Sequence, residues 1–160
     1  MDRNSYLAAK RVSEMIEIPA DRGIIRPWIV CDVAVQNPAV QRASGRWITA
    51  VRRFAPKLMP PPLIPCIVPA EPRKTRAMLA GNEQAVVLWE VRRESLAAAC
   101  DCLAAVAMTS PQVLQLAAVA GLSDRERLVL SEFGCATMVR QPEDLPGLSQ
   151  MIRGYFAITG

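Results

Sequence analysis

The sequence of 160 residues contains no histidine. Histidine is the usual general base near neutral pH and the commonest zinc ligand, so its absence excludes Ser-His and Cys-His catalytic dyads. An enzyme made from this chain would depend on carboxylates, lysine or a metal ion, and Asp32 and Glu90 are the acidic residues on which it would rely. We expect instead a protein that is not an enzyme and holds no cofactor.

Other common signatures are also missing. The five cysteines show neither a disulfide framework nor the paired spacings of a zinc site, which predicts a reduced, cytoplasmic protein without a metal site. The dinucleotide, P-loop and hydrolase fingerprints are absent. No apolar run reaches the roughly 20 residues of a membrane helix, and the charged N-terminus lacks the apolar core of a signal peptide.

The net charge of +4 is unevenly distributed along the chain. Residues 1 to 80 hold 13 basic and 6 acidic residues, whereas residues 81 to 160 hold 6 and 9, so the halves differ in sign. A basic half can attract nucleic acid or another polyanion, or it can simply form solvated helix faces. Aromatic residues make up only 5%, which leaves few platforms for stacking bases. The basic clusters are Arg52-Arg53, Arg73-Lys74-Arg76 and Arg92-Arg93.

The remaining pattern alternates apolar strands with helices. The strands are predicted at residues 27–33, 63–69, 85–91, 112–120 and 135–140, and the helices at residues 38 or 45 to 54, 72–79, 94–108, 123–134 and 142–158. Ser123 and Glu126 form a capping-box pattern at the start of the fourth helix.

This alternation predicts a three-layer, doubly wound α/β domain with a five-stranded parallel sheet. The flavodoxin-like order 2-1-3-4-5 places strand 2 at an edge, where Pro65 is tolerated because no ladder hydrogen bond is needed there. We assign residues 27–160 to this domain and residues 1–26 to an N-terminal helical extension.

The helix at 94–108 has few charged side chains, Glu94 and Asp101, and alanines on much of its outer face. A helix that is apolar on more than one side is usually covered. A homodimer through this helix, coverage by the N-terminal segment, and a simply exposed alanine face remain three alternatives.

Ligands of such sheets bind at the carboxyl ends of the strands. Strand 1 ends in Cys31-Asp32, strand 3 in Glu90, strand 4 near Ala117-Ala118, and strand 5 in Arg140-Gln141-Pro142. This arrangement resembles the receiver domain of response regulators over residues 27 to 157. That family has an acidic pair, a phospho-accepting Asp, a Ser or Thr, and Lys-Pro at these four places.

The resemblance implies a degenerate phospho-site, or pseudo-receiver. The residues at its positions are Asp32, Glu90, Ala117, Gln141 and Pro142. Asp32 and Pro142 match the family. Cys31 replaces one acid, Glu90 replaces the acceptor Asp, Ala117 replaces the hydroxyl, and Gln141 replaces the Lys. These changes weaken a Mg²⁺ site and the hold on a phosphoryl group.

We therefore expect a non-catalytic signalling or scaffold domain that acts through protein–protein contact and is not switched by Asp phosphorylation. Glu90 acts either as a fixed negative charge that mimics an always-on state or as a solvated carboxylate paired with Arg92 or Arg93. The resemblance places the interaction face on the fourth helix, the fifth strand and the fifth helix, at Asp124, Arg125, Arg127, Arg140, Gln141 and Glu143. The alternative is binding of nucleic acid or another polyanion through the basic N-terminal half.

Overall fold

A computed structural model describes residues 23–33, 45–81 and 84–158 of the chain. The strands are β1 (Ile24–Asp32), β2 (Leu63–Pro69), β3 (Val86–Arg92), β4 (Leu114–Ala120) and β5 (Thr137–Val139). The helices are α1 (Gly45–Leu58), α2 (Pro72–Leu79), α3 (Leu96–Thr109), α4 (Asp124–Glu132) and α5 (Ser149–Ala157). Two 3₁₀ segments, Arg93–Ser95 and Pro142–Leu148, precede α3 and α5.

The five strands form one parallel sheet in the order β2-β1-β3-β4-β5. This confirms the predicted three-layer α/β class and its 2-1-3-4-5 topology. Each face of the sheet has its own core. One core lies beneath α1 and α5 and includes Trp28, Val51 and Ile152. The other lies beneath α2, α3 and α4 and includes Trp89 and Leu103.

Strand β2 lies at the sheet edge, as Pro65 predicted. The N–H of Ala70 donates to the Val30 carbonyl oxygen at 3.0 Å, and the Pro62 carbonyl oxygen accepts from Ile24 N–H at 3.1 Å. Because backbone groups alternate in direction along a strand, the even-numbered residues of β2 face β1 and the odd-numbered residues face away. Pro65 and Pro69 both fall on the outward side, where a missing N–H costs nothing and leaves fewer donors for another strand.

Several boundaries differ from the sequence prediction. Strand β1 begins at Ile24 rather than residue 27, because pairing with β2 extends to Ile24 and Leu63 although Arg26 interrupts the apolar run. The last helix was predicted as one element, but Pro142–Leu148 is 3₁₀ and α5 begins at Ser149. Pro146 explains this difference, since it lacks the N–H that a continuous α-helix requires.

The capping box at α4 is confirmed. The Ser123 hydroxyl oxygen accepts a hydrogen bond from Glu126 N–H at 3.2 Å, and Ser123 N–H donates to Glu126 Oε1 at 3.0 Å. This reciprocal pair gives hydrogen-bond partners to two backbone N–H groups, those of Ser123 and Glu126. It thereby defines where α4 begins.

Two predictions fall outside the described residues. One is the helical extension as far as residue 22; the rest of the segment assigned to it is Gly23 and the first residues of β1. The other is the earlier start of the first helix at residue 38. Among the described helices, none is both long and apolar enough to cross a membrane.

Candidate functional site

Asp32 and Glu90 are direct neighbours on β1 and β3. Their Cα atoms pair in the register of the parallel ladder, so both side chains project from the same face of the sheet. Asp32 is 5% exposed and Glu90 is 8% exposed. The two acidic residues therefore lie together near one rim, as predicted, but both are buried.

Glu90 is not at the end of its strand. Strand β3 continues to Arg92, and the N–H of Val33 donates to the Glu90 carbonyl oxygen at 3.3 Å. The Glu90 side-chain atom Oε2 is buried and has no hydrogen-bond partner among the described residues. The expectation of a solvated carboxylate at a strand end is wrong, because Glu90 is buried and β3 continues for two residues beyond it.

The surroundings of Glu90 change its acidity. The pKa of its carboxyl group is raised to about 7, mainly by burial and also by the negative charge of Asp32, while the positive charge of Arg92 opposes both effects. A carboxyl group with this pKa is divided between its protonated and ionised forms at neutral pH.

The basic residues after Glu90 pair with other acids. Arg92 Nη2 donates to Asp32 Oδ2 at 3.3 Å, with the Asp32 side chain almost completely covered. Arg93 Nη2 lies 3.3 Å from Glu126 Oε1. The expected pairing of Glu90 with Arg92 or Arg93 is therefore replaced by an Arg92–Asp32 pair and by a link from the end of β3 to α4.

The register corrects the position expected to replace the hydroxyl. Glu90 pairs with Ala118, whereas Ala117 pairs with Trp89. Because adjacent residues of a strand point to opposite faces, Ala117 packs in the core beneath α3 and Ala118 lies on the face of Glu90. The next residue in this row is Val139 on β5. The side chains following Asp32 and Glu90 across the sheet are therefore apolar.

Gln141 and Pro142 follow β5 and begin the 3₁₀ segment. Gln141 is the N-cap residue of this segment, and its backbone carbonyl oxygen accepts from Asp144 N–H at 3.0 Å. Asp144 Oδ2 accepts hydrogen bonds from the N–H groups of Arg140 and Gln141 at 3.0 and 3.1 Å. These bonds lower the pKa of Asp144, Arg140 N–H having the largest effect. The position that resembles the family's Lys is thus occupied by a neutral amide side chain on a residue whose backbone groups cap the 3₁₀ segment.

The residues of the predicted interaction face are exposed, apart from Arg127, which is half-buried. Asp124 pairs with Arg127 within the first turn of α4, while Arg125, Arg140 and Glu143 are exposed. Two apolar residues of α4 that the sequence analysis did not single out are also exposed, Leu128 at 61% and Phe133, its C-cap residue, at 41%. This surface thus combines charged and apolar side chains.

Sequence reasoning missed one polar residue of this rim, Asp144, and the acidic partner of another, Arg92. Asp144 could have been identified from its position three residues after Gln141, which matches a capping pattern. The sequence placed Arg92 near Glu90, but its pairing with Asp32 could have been foreseen only if β3 had been extended, since residues two apart on a strand share a face. Among residues 23–33, 45–81 and 84–158, no three acidic, cysteine or histidine side chains form a group suited to a metal ion.

Comparison with known proteins supports the fold. No protein-family model matches the sequence, and a search of curated proteins found no match. The structure is similar to the crystal structure of a CheY-like protein (TadZ) from Pseudomonas aeruginosa PAO1, with a TM-score of 0.58 and 14% sequence identity. The match covers 81% of this chain and 94% of that chain. The chain therefore has a receiver-like, CheY-like fold.

Proposed function

We propose that this chain is a receiver-like signalling or scaffold domain that acts by binding another protein and is not switched by phosphorylation at the acceptor position. The observation that supports this proposal best is the environment of Glu90. Its carboxylate replaces the acceptor Asp, is buried, and adjoins Ala118 where the receiver family has a hydroxyl.

A phospho-acceptor needs an exposed, ionised oxygen in line with the donor, and cations that neutralise charge on the transferred group. Glu90 meets the first need poorly, because it is covered and its pKa is about 7. The second need is poorly met as well, since Gln141 replaces the family's Lys and Arg92 is engaged with Asp32. The same burial argues against Glu90 as a permanent charge that mimics the phosphorylated state.

The contact surface that we propose is the α4–β5 face. Leu128 and Phe133 expose apolar area, Arg125 and Arg140 are exposed on the same two elements or at their ends, and mixtures of apolar and arginine side chains are common at protein interfaces. Function through protein contact requires none of the phosphoryl-transfer chemistry that this site lacks.

The first experiment tests the absence of a phosphorylation switch. The protein is incubated with acetyl phosphate and Mg²⁺, and its intact mass is measured beside that of an authentic receiver domain. We expect the receiver to gain one phosphoryl group and this chain to remain unchanged. A phosphoryl adduct that Glu90→Gln abolishes would refute the proposal.

The second experiment tests the contact surface. A photo-crosslinking amino acid is placed at Leu128 and, as a matched control on the opposite layer, at Arg52. We expect a discrete cross-linked protein in the native cell from position 128 only, and its yield should fall when Arg125→Glu is added. Equal cross-linking from both positions, or none from position 128, would contradict this surface.

A further inference from the structure

The outer surface of α1 and α5 has charge of one sign. Helix α1 contains four basic and no acidic residues, and α5 contains Arg153 and no acidic residue. Both helices pack on the same face of the sheet, and Arg153 Nη2 donates to the Lys57 carbonyl oxygen at 3.5 Å. Arg153 therefore lies beside the last turn of α1.

Three of these side chains lie in a line, which we call the α1 ridge: Arg46, Arg53 and Lys57. They follow one another at intervals of seven and four residues, so they lie within about 40° of one another around the helix and span about 16 Å. All three are exposed. None of the ion pairs between described residues includes them.

Two of the three guanidinium or ammonium groups are held in position by aromatic rings. The Arg46 guanidinium lies 5.9 Å from the centre of the Trp47 ring, and the Arg53 guanidinium lies 5.0 Å from that of Phe54. Cation–π contact restrains long side chains and so reduces the entropy that an arginine loses on binding. Because Trp47 is buried and Phe54 half-buried, the rings support the cations and are poorly placed to stack on bases.

The carboxylates nearest in the fold do not neutralise this line. The 3₁₀ segment that packs against α1 contains Glu143 and Asp144. Asp144 accepts the backbone N–H groups of Arg140 and Gln141, and the described residues include no ion pair between Glu143 and the ridge. Among the described residues, no ion pair therefore offsets the charge of the ridge.

We propose that the α1 ridge binds the phosphate backbone of a nucleic acid without reading its sequence. A nucleic-acid strand presents negative charges at short regular intervals along a line, which a line of restrained cations complements better than a scattered group does. Because few aromatic rings are accessible on this surface, we expect no stacking on bases. This surface is separate from the α4–β5 face, so the two activities can be tested independently.

The second basic cluster provides a matched control. Arg73, Lys74 and Arg76 belong to α2, whose buried Leu79 packs in the core on the opposite face of the sheet. These three side chains are exposed and have the same total charge as the ridge, but they spread over about 160° around their helix. Binding through net charge alone would depend on both clusters equally.

The experiment measures fluorescence anisotropy of a labelled oligonucleotide, as single strand and as duplex, over a series of salt concentrations. The ridge variant R46Q/R53Q/K57Q is compared with the control variant R73Q/K74Q/R76Q. We expect the ridge variant to weaken binding about tenfold or more and to lower the salt slope on duplex by about 3, and the control variant to change both much less. Circular dichroism checks that each variant folds.

If the triple variant fails to fold, R53Q and K57Q are measured singly, and each is expected to lower the slope by about 1. Equal losses in the ridge and control variants would overturn the proposal, and so would absence of binding by the wild-type protein at low salt. Binding of polyglutamate without binding of either oligonucleotide would overturn it in favour of an acidic protein surface.

Discussion

Asp32 and Glu90 stand side by side on adjacent parallel strands, both almost fully buried. Arg92 forms an ion pair with Asp32, whereas its positive charge acts on Glu90 without a direct contact. The Glu90 atom Oε2 has no hydrogen-bond partner among the described residues. The ionisation of Glu90 should therefore be coupled to folding, and this coupling can be measured.

The first prediction concerns the effect of pH on stability. Burial raises the pKa of folded Glu90 from 4.5 to about 7, so the folded state binds the proton more tightly than the unfolded state does. The free energy of unfolding should therefore fall as pH rises between about 4.5 and 7, by at most about 1.4 kcal/mol per pH unit from this group. Urea denaturation across this range tests it.

Glu90→Gln is the matched variant for this measurement. It keeps the shape and a hydrogen-bonding side chain but cannot ionise, so its stability should lack the decline that the wild-type protein shows over this range. The charged residues that affect the pKa of Glu90 are Asp32 on β1 and Arg92 on β3, and both are unchanged in this variant. Parallel pH curves for the two proteins would show that Glu90 does not titrate abnormally.

The second prediction concerns Arg92. Substitution Arg92→Met removes the ion pair to the buried Asp32 carboxylate and should lower the free energy of unfolding by roughly 1–2 kcal/mol. It also removes the positive charge that lowers the pKa of Glu90, so that pKa should rise further. Carbon-13 NMR titration of the carboxyl groups measures this shift. Arg93→Met is the control, and it should leave the Glu90 titration unchanged.

The third prediction concerns the two sides of β2. Pro65 faces outward, so Pro65→Val should change the free energy of unfolding by less than about 1 kcal/mol while adding a donor to the exposed edge and increasing aggregation. Cys66 faces β1, so Cys66→Pro should remove a ladder hydrogen bond and destabilise the fold by at least about 1–3 kcal/mol. Chemical denaturation and light scattering measure both effects. Similar destabilisation by both changes would contradict the assigned alternation.

The fourth prediction concerns self-association through α3. Its outer surface exposes Ala97, Ala98 and Met108, the last at 85%. We expect a concentration-dependent dimer in sedimentation velocity that Ala98→Glu weakens, because a charge would be buried in an apolar contact. Ala77→Glu, at an exposed position of α2, is the control and should leave the dimer intact. A wild-type protein that sediments as a monomer at all concentrations would exclude this association.

Much of the architecture was predictable because it depends on local pattern. Runs such as the one at Val86–Trp89 are apolar throughout, which indicates a strand covered on both faces, and Ser123 with Glu126 marks the start of a helix. Pro65 predicted the edge position of β2, because a residue without an N–H is tolerated where no neighbouring strand needs a donor. Chirality of the crossovers then leaves few strand orders.

The site was predicted in part. That Asp32 and Glu90 meet follows from the parallel pairing of β1 with β3, which places the two residues opposite each other. The choice between Ala117 and Ala118 beside Glu90 depends on a shift of one residue, which moves a side chain to the opposite face of the sheet. The pairing of Arg92 with Asp32 rather than Glu90 depends on how far β3 continues.

By itself, the sequence determined the class of fold, the order of its strands, and the exclusion of chemistry that requires histidine, because composition and periodicity act over a few residues at a time. Tertiary structure alone decided that Glu90 is buried, that α1 and α2 present their basic residues on opposite faces, and that Arg46, Arg53 and Lys57 lie free of acidic partners among the described residues. These properties depend on which distant segments pack together, and burial and electrostatic interaction are set by such neighbours rather than by the residue's own identity.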